Sequence, residues 1–285
     1  MIHSKATVKS NISSIIYSVR YDFWQGIMKR FPVFLGIGFI FLLANITFIK
    51  KTAVLLSSGN SSGLSFADIW IYTFRGMEVY TPSENSKFVI PGFWLLLQVY
   101  FSYLVSFWPY TNISGHGHQV LLRCQSRWKW WIGKCLWVGM STIGYYLIGA
   151  VTLLLCVWLN GGQADLNVHN DILSAFQIPM DGYTASWLLG IFILPVLASL
   201  TLGMIQLVLQ FCVGPMITLI IAVAILVSSA FFSNPLLIGN QAMIWRYAFI
   251  TPHEIDFLPS LIIDAILIIA AFILGGWRFS RYDIL

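Results

Sequence analysis

WLLGIFILPVLASLTLGMIQLVLQFCVGPMITLIIAVAILVSSAFF, residues 187–232, is a run of 46 residues whose apolar text is almost unbroken. As one helix it would extend roughly 69 Å at about 1.5 Å per residue, about twice the hydrocarbon core of a bilayer. Gly214-Pro215 stands near its middle. Proline removes a helix hydrogen bond there, and the pair suits a tight reversal. The run therefore reads as two membrane spans, Trp187–Val213 and Pro215–Phe232.

Working outward, four further apolar runs have a length of about 20 residues, enough to cross a bilayer. They are Phe31–Ile49, Val89–Tyr110, Gly133–Leu159 and Phe257–Trp277. The expected fold is an all-α integral membrane protein with six transmembrane helices in one domain, residues 1–285.

Composition agrees. Of 285 residues, 58% are hydrophobic, 16% aromatic and 9% charged, with mean hydropathy +0.79. A soluble domain carries about 25% charged residues, so this chain could not keep a large core's surface wet. Its aromatic and apolar content excludes disorder. Four cysteines in 285 residues are too sparse for a disulfide-stapled secreted fold.

The net charge of +5 is explained by topology rather than by nucleic acid, because the bases form no groove-tracking patch. With both termini cytoplasmic, eleven Lys and Arg fall inside: Lys5, Lys9, Arg20, Lys29, Arg30, Arg123, Arg127, Lys129, Lys134, Arg278 and Arg281. Five fall outside, Lys50, Lys51, Arg75, Lys87 and Arg246, which satisfies the positive-inside rule. No signal peptide is expected, since a basic segment precedes Phe31 and no small-residue cleavage site follows the first apolar run.

The segments between spans carry the functional signals. Ile12, Ile16, Val19, Phe23 and Ile27 recur at helical spacing, with Ser18, Arg20 and Asp22 between them. This is an amphipathic helix within residues 1–30, either a topological anchor or an interface helix that touches a cytoplasmic partner. Residues 111–134, TNISGHGHQVLLRCQSRWKWWIGK, form the one substantial cytoplasmic loop. Gly115 and Gly117 break the chain, and a short helix over 119–125 could run along the membrane. Arg123, Arg127, Lys129 and Lys134 would face anionic lipid or an acidic partner, and Trp128, Trp130, Trp131 and Trp137 would anchor the next span at the interface. Anchoring leaves Gln119, Leu121 and Leu122 unexplained, and a protein partner would explain them.

Catalytic signatures are weak. His116 and His118 have no cysteine or carboxylate in the loop to complete a tetrahedral zinc set. His253-Glu254 does not extend to HExxH, and Gly133-Lys134 lacks the upstream glycine of a Walker A loop. Within the spans, Asn45, Gln98, Gln206 and Gln210 suit interhelical hydrogen bonds. Asp264 is the one acid inside a span and either reaches the interface or faces a substrate or partner. The outer segment 233–259 is unusually apolar, with Met243, Ile244, Trp245, Tyr247 and Phe249. It either dips into the outer leaflet or caps a cavity. Leu64–Tyr80 is expected on the outer surface.

Together these features resemble an ABC-2-type transporter permease of the type V exporter kind. The pattern GxGxQxLLRxxSRxxWWxxK over Gly115–Lys134, with ADIWIYTFRGMEVY at 67–80 and the closing WRFSRYDIL, is similar to the Gram-positive peptide and bacteriocin group. The resemblance implies a second permease, identical or related, and a cytoplasmic ABC ATPase that alone binds ATP and Mg, so this chain itself would be no enzyme and hold no cofactor. It implies a coupling loop over 111–132, with Gly115, Gly117, Gln119, Leu121, Leu122, Arg123, Arg127 and Lys134, and an interface helix with Ile16, Val19, Arg20 and Phe23. It makes 233–259 a re-entrant lid, with Trp245, Arg246 and Asp264 on a substrate path. The expected location is the cell membrane. The rival readings are an intramembrane enzyme and a non-transporting immunity or sensory protein.

Overall fold

The computed structural model describes residues 16–57, 63–78, 90–114, 126–178, 180, 183–250 and 255–281. Among them there is no strand, only the isolated bridges Ser65–Gln163 and Tyr247–Ile255. Helix α1 covers 16–28, its last turns in π geometry over Phe23–Met28. The remaining helices are α2 (Phe31–Ser57), α3 (Phe66–Phe74), α4 (Gly92–Ser114), α5 (Arg127–Leu159), α6 (Asn170–Ala175), α7 (Leu188–Val213), α8 (Pro215–Phe231), α9 (Ile238–Gln241) and α10 (Phe257–Ser280).

The fold is all-helical, and α2, α5, α7 and α10 are each long and apolar enough to cross a membrane. Helix α8 is apolar but shorter, at 17 residues. The break between α7 and α8 falls where the sequence places it. Gly214 turns the chain at φ +86°, where an L side chain is strained, and Pro215 opens α8.

Side-chain pairings fix the direction of each long helix. Gln98 and Ser106 of α4 meet Ser199 and Gln206 of α7, so these two run parallel. Asp264 and Phe279 of α10 meet Thr201 and Phe211 of α7, again parallel. Arg127 and Trp131 of α5 reach Ser280 and Phe272, so α5 runs opposite to α10. The bundle thus has two ends. One collects Arg20, Lys29, Arg30, Arg127, Lys129, Lys134, Arg278 and Arg281, with Asp22 the one acid there among the described residues. The other holds α3, α6, α9 and the acids Asp68, Glu78, Asp165, Asp171 and Asp256.

The outer surface is apolar. Ile143, Leu147, Val151 and Leu155 form an i, i+4 row on α5 and each is more than half exposed. Ile262, Ile266, Ile269 and Ile273, three or four residues apart on α10, are likewise more than half exposed. Such rows are unfavourable in water and suit a hydrocarbon solvent.

Two expectations are corrected. Residues Ala67–Phe74 do not lie on the surface, since every one of them is buried. Helix α3 is apolar on nearly all sides, so it inserts between α2 and α5, with Phe74 edge-on to Phe41. Its start is held by a capping box between Ser65 and Asp68. Trp130, Trp131 and Trp137 are likewise protein core, fully buried, and not interfacial anchors. Trp130 stacks on Phe279 at 4.5 Å and Trp131 donates to the Phe272 carbonyl, which draws α5 out to Arg127. Trp128 remains 40% exposed and fits the anchoring role.

Candidate functional site

Three groups of buried polar side chains lie along the bundle. At the basic end, α1 docks through its small and polar face, Ser18, Asp22 and Gly26, all buried. Of the apolar stripe, Ile16 and Phe23 are exposed, Val19 is intermediate and Ile27 packs partly buried against the core, while Arg20 is exposed. Asp22 accepts a charged hydrogen bond from Lys134 Nζ, and both side chains are sealed from solvent. Lys134 also donates to Asn112 Oδ1 at 3.0 Å and lies over the Trp130 ring at 4.7 Å. Burial raises the Asp22 carboxyl above the usual carboxylate range, and the Lys134 ammonium pulls it back down. Gly133 is needed here, because a Cβ would come within 2.6 Å of Ser18 Oγ.

This clasp joins three elements, α1, the end of α4 and the start of α5, and so brackets the loop between α4 and α5. It corrects the expectation for Lys134, which is occupied inside the chain and does not face lipid or a partner. Arg127 is exposed, but its Nη1 donates to the Ser280 carbonyl at 2.9 Å, tying α5 to α10. Gly115, Gly117, Gln119, Leu121, Leu122 and Arg123, with His116 and His118, lie outside the described residues.

A polar seam runs up the α4–α7 contact. Ser199 Oγ donates to Gln98 Oε1 at 3.0 Å, and Tyr146 Oη of α5 lies 2.8 Å from Ser199 Oγ. Gln206 Nε2 donates to Ser106 Oγ at 3.2 Å. Asn45 accepts from Thr73 Oγ1 at 3.0 Å. The amides thus sit between elements, as the sequence suggests.

Both in-helix prolines are matched by side chains. Pro195 has no N–H for the Ile191 carbonyl, and Trp70 Nε1 donates to that carbonyl at 3.0 Å. Pro109 leaves the Val105 carbonyl free, and Gln210 Nε2 donates to it at 3.4 Å. These two proline sites lie toward opposite ends of the bundle, one in α7 near α3, the other in α4 near the clasp.

The third group closes the acidic end. Met243, Ile244 and Tyr247 are buried, as their apolar character predicts. Arg246 is not open to a path, since it is sealed and donates to the Met77 and Ala230 carbonyls. Trp245 pairs its backbone N–H with the Arg75 carbonyl. Asp264 does not reach the interface; its side chain is buried and accepts from Thr201 Oγ1 at 3.0 Å. Beside them, Asp68 accepts from the His169 backbone N–H and pairs with His169 Nδ1, each at 2.8 Å. Burial raises the Asp68 carboxyl, opposed by those bonds.

The ion pair of Lys134 with Asp22 is the feature that residue-by-residue reading misses. Its one available signal is an acid placed opposite the apolar stripe of an otherwise basic segment. Among the described residues no group of three or more His, Cys, Asp or Glu could hold a metal. Comparison with family models, curated proteins and solved structures gave no match for this chain.

Proposed function

We propose that this chain is the membrane subunit of an ATP-driven exporter of the ABC-2 type, with six membrane-crossing helices and both termini cytoplasmic. Helices α4 and α8 supply the second and fifth crossings. The observation that carries the reading is the Asp22–Lys134–Asn112 clasp. A membrane protein gains little from a buried ion pair as such, since desolvation offsets most of the attraction. A clasp that fixes a surface helix to both arms of a basic loop, at the positively charged end, suits a site that receives force from a cytoplasmic partner. In this reading the loop seats in an ABC ATPase, α1 braces it, and ATP-driven movement biases the bundle between two states. A second permease chain completes the path, and the cargo is peptide-like or amphipathic.

The test is co-purification. The full chain should retain an ATPase partner in mild detergent, and Arg123→Glu should lose it while the chain stays folded. Arg127→Glu is less discriminating, because Arg127 also holds Ser280. Retention of the partner by Arg123→Glu overturns the loop assignment.

A further inference from the structure

Asp264 has a setting that neither packing nor the proposed transport role accounts for. It lies on α10 where that helix packs against α7, with its side chain fully buried. Oδ1 meets Thr201 Oγ1, while Oδ2 has no hydrogen-bond partner among the described residues. One turn earlier, Ser260 Oγ is also buried without a partner among those residues.

Among the described residues it forms no ion pair. Helix α7 contains no Asp, Glu, His, Lys or Arg over its whole length. The basic residue of α10, Arg278, lies 14 residues on, roughly 21 Å along the helix. The bases of α5, Arg127, Lys129 and Lys134, are at that same far end. Arg246, from the apolar segment at this end, is held by the Met77 and Ala230 carbonyls. Among the described residues, the titratable side chains that interact with it include the Tyr247 phenol.

An ionised carboxylate so placed is costly within a membrane-spanning helix, and no ion pair among the described residues offsets it. The Thr201 hydroxyl has two acceptors within reach, the Leu197 carbonyl at 2.9 Å and Asp264 Oδ1 at 3.0 Å, so it serves at most one oxygen of the carboxyl and leaves Oδ2 without a donor among the described residues.

We infer that Asp264 is a proton-binding site, occupied while α7 and α10 are packed as in this structure. When the helices part and water reaches the carboxyl, the O–H bond breaks, the proton passes to water, and the carboxylate keeps the electron pair. Parting is therefore favoured by a rise in pH on the side to which the site opens. This inference does not depend on what the chain transports.

The experiment is infrared difference spectroscopy of the purified full-length chain in dodecyl maltoside micelles, which carry no carbonyl group, at neutral pH. Wild type should show the C=O stretch of a protonated carboxyl that disappears in Asp264→Asn. In Thr201→Val the band should persist at a shifted frequency, which keeps the test open should Asp264→Asn fold poorly. Transfer to D2O should shift the wild-type band only slowly, because exchange waits on helix parting. Absence of such a band, or one indifferent to both variants, overturns the site. Immediate deuterium exchange overturns its link to the α7–α10 contact.

Discussion

The indole N–H of Trp70 donates at 3.0 Å to the carbonyl of Ile191, the one that Pro195 deprives of its helical donor. A nine-residue helix that crosses no membrane thereby completes the hydrogen bonding of a 26-residue helix that does have the length to cross. The bond adds to the apolar packing that holds α3 inside the bundle, since the freed carbonyl is buried where water cannot supply the missing bond.

Trp70→Phe should lower stability by about 1–3 kcal/mol, the cost of an unsatisfied buried carbonyl. In a Pro195→Ala background the new backbone N–H serves Ile191, so the same substitution should cost less than about 1 kcal/mol. Thermal unfolding of the four proteins in detergent measures this coupling. Gln210→Leu should have a smaller effect than Trp70→Phe, since its bond to Val105 is longer at 3.4 Å.

Lys134→Met should destabilise by about 3–5 kcal/mol, because it leaves a buried carboxylate without its partner. The double variant Asp22→Asn with Lys134→Met should recover most of that loss. Protease cleavage within the first 30 residues gives an independent readout. The single variant should be cut faster than wild type, and the double variant should resemble wild type.

Gly275→Ala and Gly139→Ala should differ in sign. A Cβ on Gly275 would lie 2.1 Å from Trp131 Cζ2, and that indole is pinned by its bond to Phe272. Overpacking there should cost about 1–3 kcal/mol. Nothing stands within 4 Å of a Cβ on Gly139, so alanine there should be neutral or stabilising by at most about 1 kcal/mol. Melting temperatures of the two purified variants decide it.

Much of the fold is legible in the sequence. The reversal at Gly214-Pro215, the apolar runs and the pairing of Asn45, Gln98 and Gln206 between elements all follow from residue chemistry. What is not legible is whether an apolar surface meets lipid or protein, because the two are equally apolar. That ambiguity explains Trp130, Trp131 and residues 67–74, which composition places at an interface and packing places inside. Lys134 escaped for a different reason. Its partner is 112 residues away in sequence, and no local pattern links a lysine to an acid at that distance.

In the proposed exporter, the loop between α4 and α5 receives a cytoplasmic ATPase. The most direct measurement places a photo-crosslinking amino acid at Gln119 in cells, with a second at Glu78 as a control, and identifies the adducts by mass spectrometry. Gln119 should capture a protein carrying Walker motifs, and Glu78 should not. Adducts at Gln119 confined to lipid, or an ATPase captured equally from Glu78, would contradict it.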